Sequence, residues 1–189
     1  IGAPCGYILS RYSKGSGFTL LCVSLFFRAL PTMVLILPYY VIAQRLGLYD
    51  TKILLIVAIV AGNQPFTIWI QRSFFLTVPQ SLDEAAMVDG CTRFKSFLHV
   101  ILPVSLTGAI TSAIFTCMFS YNEYMIPAAL SATRSMTLPV MIAQFGGEDL
   151  RYWSISAAGN ISIAIPLIIF VIALQKYLVG GMRAGAVKE

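Results

Sequence analysis

The residues able to do chemistry gather between Pro79 and Pro103, PQSLDEAAMVDGCTRFKSFLHVILP, a long polar interruption between apolar blocks. It holds charges of both signs: Asp83, Glu84, Asp89, Arg93 and Lys95. Their spacing suits docking rather than catalysis. Ser81 followed by Glu84 fits a capping box, in which each side chain satisfies an orphan N–H of the first helical turn. Asp89-Gly90 predicts the end of that helix, because glycine accepts the left-handed conformation. Leu82, Ala85, Ala86 and Asp89 fall at i, i+3, i+4 and i+7 and share one face. Two alanines make that face flat enough for another protein's backbone to come close. Elsewhere no catalytic grouping emerges. No Ser/His/Asp set or carboxylate pair sits in a plausible pocket. His99 has no partner at ligand spacing, and Cys5, Cys22, Cys91 and Cys117 have no C-x-x-C spacing, so neither a metal site nor a disulfide is expected. No G-x-x-x-x-G-K-[ST] is present, and Lys14-Gly15-Ser16-Gly17 lacks its spacing. The chain is predicted to do no enzymatic chemistry and to bind no cofactor itself.

The elements that must position this stretch live in lipid. Of 189 residues, 58% are hydrophobic and 11% charged, and mean hydropathy is +0.81; soluble domains average roughly 25% charged residues. The net charge of +5 reads first as membrane topology, not as a nucleic-acid footprint, because Lys and Arg mark the cytoplasmic side. Ile1 to Ser10 is too short to cross about 30 Å of hydrocarbon and has no basic leader, so it reads as the last half of a helix in an N-terminally incomplete chain. Apolar blocks follow at Phe18–Gln44, Ile53–Ile70, Phe97–Ser120 and Ile155–Leu174. The predicted fold is therefore all-α: a polytopic transmembrane helical bundle of about four complete spans plus the end of an earlier one, in one domain over 1–189.

Several residues inside the blocks are out of keeping with lipid. Arg28, with Pro31 and Pro38, interrupts the first complete block; either it faces a water-filled pathway or the bilayer begins near it. Asn63 and Gln64 precede Pro65 and are expected to face the bundle or a cavity, as glue between helices or as pathway lining. Asn160 lies in the last block; Asn160-Ile161-Ser162 matches a glycosylation triplet but sits inside an apolar helix. Tyr121-Asn122-Glu123-Tyr124 ends the fourth block with aromatic rings suited to a membrane interface. Asn63, Gln64, Asn122, Glu123 and Asn160 are the candidate pathway residues.

The organising stretch carries a family resemblance. Glu84-Ala85-Ala86, Gly90 and Leu102-Pro103 resemble the E-A-A-x₃-G-x₉-I-x-L-P signature of ABC-importer permeases, with Val100 in place of Ile and Asp89-Gly90 as in the sugar-importer version. The tail Gly180–Lys188 is similar to the G-x-x-x-G-A-V-K-G ending of maltose-type permeases, with Glu189 in place of the last Gly, and Tyr121 stands where the family usually has Trp. The resemblance implies the type I importer fold. It implies a coupling loop over 76–97, with Glu84, Ala85, Ala86, Asp89, Gly90, Leu102 and Pro103 as the ATPase-coupling residues. It also implies an external loop over 125–153 that touches a binding protein and a cytoplasmic tail over 179–189 whose Arg183, Gly185 and Lys188 meet the ATPases.

The implied partners are a second homologous permease, an ABC ATPase dimer that binds the ATP, an extracytoplasmic solute-binding protein and membrane lipid. The implied function is passage of a sugar or oligosaccharide across the inner membrane of a prokaryote. Glycerol phosphates and polyols use similar subunits, so they stay open as solutes. An ion-coupled secondary transporter, the rival from another class, predicts intramembrane carboxylates, whereas every acid here can be placed in a loop or at a helix end. Charge counting gives an independent orientation. Eight of the 13 Lys and Arg residues fall on the side of Glu84 and the tail, four on the other, with Arg28 undecided. The positive-inside rule makes the first side cytoplasmic.

Overall fold

The computed structural model describes residues 1–12, 15–145 and 152–186, with residues 16 and 176–186 described as backbone only. The described residues form helices and the connections between them. Its helices are α1 (Gly2–Arg11), α2 (Ser16–Ala29), α3 (Thr32–Arg45), α4 (Lys52–Thr77), α5 (Ser81–Val88), α6 (Arg93–Ser96), α7 (Leu102–Val104), α8 (Leu106–Tyr121), α9 (Met125–Leu130), α10 (Leu138–Ala143) and α11 (Trp153–Ala186), with a π-helical turn at Phe97–Ile101 between α6 and α7. The 26 residues of α4 reach about 39 Å at 1.5 Å per residue, enough to cross a bilayer even when tilted. Helix α4 and residues Trp153–Gln175 of α11 are each long and apolar enough to span alone; the pairs Gly17–Ala29 with Thr32–Arg45 and Arg93–Val104 with Leu106–Tyr121 bring the number to four if each is one broken span. This matches the predicted count of about four.

Prolines set the breaks. Pro31 separates α2 from α3, as its interruption of the block predicts. Pro38 and Pro65 are absorbed within α3 and α4. Pro103 cannot donate to a carbonyl one turn back; beside it the chain widens into the π turn and then bends by 79° at Ser105. The Ser105 hydroxyl donates to Ile101 O at 2.8 Å, beside the Ser105 N–H on the same carbonyl at 3.0 Å.

Two compact units emerge. The first comprises residues 1–28, 64–117 and 174–189, the second 29–63 and 118–173. The core of the first is Tyr7, Phe75, Val78, Phe97 and Ile101, with Leu82 and Leu102 packed against it. In it α1 and α4 approach closely: a Cβ on Gly6 would stand 2.7 Å from Gln71 Cβ and 2.9 Å from Arg72 N, and one on Gly2 would press on Thr67. Gln71 Nε2 donates to Ser112 Oγ at 2.6 Å, and the Thr67 and Thr116 hydroxyls share a 2.9 Å bond. These pairs keep one antiparallel register between α4 and α8. In the second unit Leu55, Ala58, Ile126 and Leu130 form the core. There Asp50, at φ 55°, accepts from the N–H groups of Ala132, Thr133, Arg134 and Ser135 at 2.8 to 3.1 Å and from the Ser135 hydroxyl at 2.9 Å.

Two sequence expectations need correction. The Ser81–Glu84 capping box does not form. Gln80, not Ser81, is the N-cap; it is already helical, and no side chain caps the end. Capping needs an extended residue at that position, and the turn from Pro79 leaves none. The flat shared face of α5 is also not as predicted: Asp83 and Ala86 are buried by the chain itself, while Ala85 and Asp89 are exposed. The connection 125–153 contains α9 and α10; the glycines and acids at 146–149 lie outside the described residues. The tail, with three glycines, is the end of α11, which continues to Ala186. Extending a helix already nucleated by an apolar span requires only propagation.

Candidate functional site

Helix α5 has one side packed against the chain and one side exposed. Its N-terminus follows α4 after three residues, and Leu82 N and Glu84 N bond to Pro79 O and Gln80 O. Its C-terminus is a Schellman motif: Cys91 N donates to Ala86 O at 2.9 Å and Gly90 N to Met87 O at 3.1 Å. Gly90 sits at φ +87°, the left-handed conformation the Asp-Gly pair predicts. Thr92 then caps α6 by accepting from Lys95 N.

The bound side is held by charge as well as packing. Asp83 receives Tyr7 Oη at 2.6 Å on one carboxylate oxygen and Arg11 Nε at 2.8 Å on the other. The same guanidinium donates to Phe75 O and Val78 O, both at 3.0 Å, at the C-terminus of α4. A cation there complements the helix dipole, as an acid does in the first turn of α5. The free side carries Glu84, Ala85, Met87 and Val88; Val88 is 87% exposed, an apolar side chain left uncovered by the described residues. Beside it Tyr7, Tyr12, Asp83, Glu84, Met87 and Arg93 line a cavity of about 160 Å³, and the Arg93 guanidinium lies 5.0 Å from the centre of the Tyr12 ring. Of the other coupling candidates, Leu102 packs against the core below α5 and Pro103 begins the bend.

The pathway candidates are dispersed. Asn63 is buried and donates to Ile59 O and to Ser120 Oγ, at 3.1 and 3.4 Å, as glue between α4 and α8 does. Gln64 Oε1 is buried and has no hydrogen-bond partner among the described residues. Asn122 donates to Met118 O within its own helix end. Glu123 accepts from Ile126 N and, with Ser120, Tyr121 and Thr137, lines a cavity of about 240 Å³ in the second unit. Asn160 is exposed on α11. Arg28 lies 5.3 Å from the centre of the Phe66 ring. In the tail, Arg183 and Gly185 belong to the backbone-only end of α11, and Lys188 is outside the described residues. Tyr7, Arg11 and Asp83 escape sequence reasoning as site residues, because 72 residues separate the paired charges and neither alone departs from a helix-end residue.

The family described as the binding-protein-dependent transport system inner membrane component matches residues 2–184. The trehalose transport system permease protein SugB of Mycobacterium tuberculosis is 34% identical over 191 residues, covering 100% of this chain and 70% of that protein. The trehalose/maltose transport system permease protein MalG of Thermococcus litoralis is 38% identical over 148 residues, covering 77% of this chain but 53% of that protein. Among solved structures, a bacterial ABC transporter involved in import of the acidic polysaccharide alginate superposes with a TM-score of 0.71 at 21% identity, over 93% of this chain and 66% of that one. This last likeness is one of fold. The chain thus spans between about half and seven tenths of these three proteins.

Proposed function

This chain belongs to the inner membrane components of binding-protein-dependent transport systems and is a membrane protein; from that premise we propose that it is a permease subunit of an ATP-binding-cassette importer that passes a sugar or oligosaccharide. The family is one of transport components rather than of enzymes. The sugar reading is supported by the EAA stretch with its Asp89-Gly90 and by relatives named for trehalose and maltose transport.

The observation that carries the coupling role is the asymmetry of α5. One side is locked to α1 and α4 through Asp83, while Glu84, Ala85, Met87 and Val88 are presented outward. A helix free on both sides would turn under load instead of passing it on; one bound on both sides would have nothing to offer a partner. In this reading an ATPase dimer binds ATP and grips the free side, a second homologous permease completes the pathway, and a binding protein delivers the solute to the loop between α8 and α11. The coupling loop and the tail lie in the cytoplasm, in keeping with the distribution of Lys and Arg. Arg183, Gly185 and Lys188 make a second contact with the ATPases.

The test is uptake of labelled trehalose and maltose into vesicles bearing the complete complex, with ion gradients collapsed by ionophores. Uptake that needs ATP is expected, with Val88→Asp and deletion of Gly185–Glu189 each weakening ATPase association. Uptake that ignores ATP and vanishes with the ion gradient refutes the proposal.

A further inference from the structure

Asp83 is a poor residue to bury unless something is gained by burying it. Its side chain is 11% exposed and that of Arg11 6%. Both carboxylate oxygens are taken by α1, one by the Tyr7 hydroxyl and one by Arg11 Nε. The remaining guanidinium nitrogens hold the last carbonyls of α4. Tyr7 in turn packs its ring against Phe75 of α4 and against Phe97 of the π turn, with centroids 5.7 and 5.0 Å apart. Four segments therefore meet at one acid on α5. Two of them, α1 and α4, are separately interlocked by the close approach of Gly2 and Gly6.

A solvent-exposed ion pair can open at little cost. A buried one cannot, because parting it leaves an uncompensated charge with no water to replace its partner. If α5 tilted or slid relative to α1, Asp83 would lose both donors together, and the Arg11 guanidinium would be left with the Phe75 and Val78 carbonyls alone. We propose that Tyr7 and Arg11, acting through Asp83, are positioning residues that make α5, α1 and the end of α4 one rigid lever. Displacement of α5 by a partner is delivered to both helices instead of being absorbed at the short α4–α5 connection. This rests on the coupling role proposed above and extends it to residues outside the EAA stretch.

The readout is ATP hydrolysed per solute imported, in the complete complex with its ATPase. Arg11→Ala raises that ratio roughly tenfold while ATPase still co-purifies. Arg11→Lys keeps a charge near Asp83 but cannot serve the carboxylate and both carbonyls at once, and falls between. Should Arg11→Ala accumulate poorly, Tyr7→Phe carries the test: it removes one 2.6 Å hydrogen bond, keeps the ring packing, and raises the ratio by about two- to threefold. Assembled variants with the parental ratio, or variants that only lower the amount of complex, overturn the inference while leaving the coupling role intact. An unmodified complex whose uptake needs no ATP overturns both.

Discussion

Gly90 offers a clean perturbation of the proposed coupling site, because its side of the turn is empty. It holds φ +87° at the end of α5, and a Cβ built on it meets nothing within 4 Å. A substitution there neither removes a contact nor creates a clash, so its cost is backbone strain alone. For an ordinary L-residue the left-handed conformation costs roughly 1–2 kcal/mol; asparagine tolerates it better, and β-branched residues tolerate it least. Since about 1.4 kcal/mol is a factor of ten in an equilibrium, Gly90→Ala reduces the population of the native turn by roughly one order of magnitude relative to its alternatives. Gly90→Val reduces it further, and Gly90→Asn does so only slightly. When the turn opens, the Cys91 N to Ala86 O and Gly90 N to Met87 O bonds are lost, and α5 loses its fixed end. The expected order of ATP-driven uptake in vesicles is parent, Asn, Ala, Val, with the protein inserted at parental levels throughout. Asn as damaging as Val, or Val equal to the parent, would refute the strain argument, since neither result follows φ.

Two further outcomes are expected. Gly6→Ala drives a methyl group toward Arg72 N, a backbone atom that cannot swing aside, and so destabilises the α1–α4 contact by about 1–3 kcal/mol. Gly159→Ala, whose nearest neighbours are the flexible end of Ile142, costs less, and equal thermal midpoints for the two purified variants count against this reading. At the α3–α4 connection, the Ala132 and Arg134 N–H groups, with help from Ser135, hold the Asp50 carboxyl well below the usual carboxylate range. A depressed folded value means the stabilisation is complete above the ordinary carboxylate pKa of about 3.9 and is lost as pH falls below it. Protease protection of 131–135 should be constant from neutral pH down to about 5 and decline below about 4. Asp50→Asn should lower protection at neutral pH and flatten this decline, whereas an unchanged acid profile in Asp50→Asn contradicts the role of Asp50.

What was legible in the sequence was local or periodic. The Asp89-Gly90 stop needs only a residue that accepts positive φ, and the spans need only sustained apolarity, so both are as predicted. The start of α5 was not legible, because a capping box depends on the conformation of the preceding residue, and the turn at Pro79 keeps Gln80 helical. Nor was the free face: 82, 85, 86 and 89 share a side of any helix, but only the fold decides that Asp83 and Ala86 turn inward. Polar residues in α4 advertised themselves, yet sequence alone left Asn63 between glue and pathway. The Ser120 hydroxyl on α8, 57 residues away, is what favours glue.

The same physics explains why α5 is fastened differently from the spans. Lipid supplies no hydrophobic drive between helices, so they adhere by close approach and by hydrogen bonds. In the first unit both are seen: Gly2 and Gly6 let α1 lie against α4, a Cβ on Gly108 of α8 would fall within the Phe74 side chain of α4, and Gln71–Ser112 and Thr67–Thr116 pair across the same contact. Helix α5 is eight residues long, too short to cross lipid, and its outward side is exposed. Its apolar burial rests on Leu82, Ala86 and the core beneath them, a small footing. A buried carboxylate held by a tyrosine and an arginine on α1 supplies what that footing lacks: a directional bond whose rupture is costly in every direction of motion.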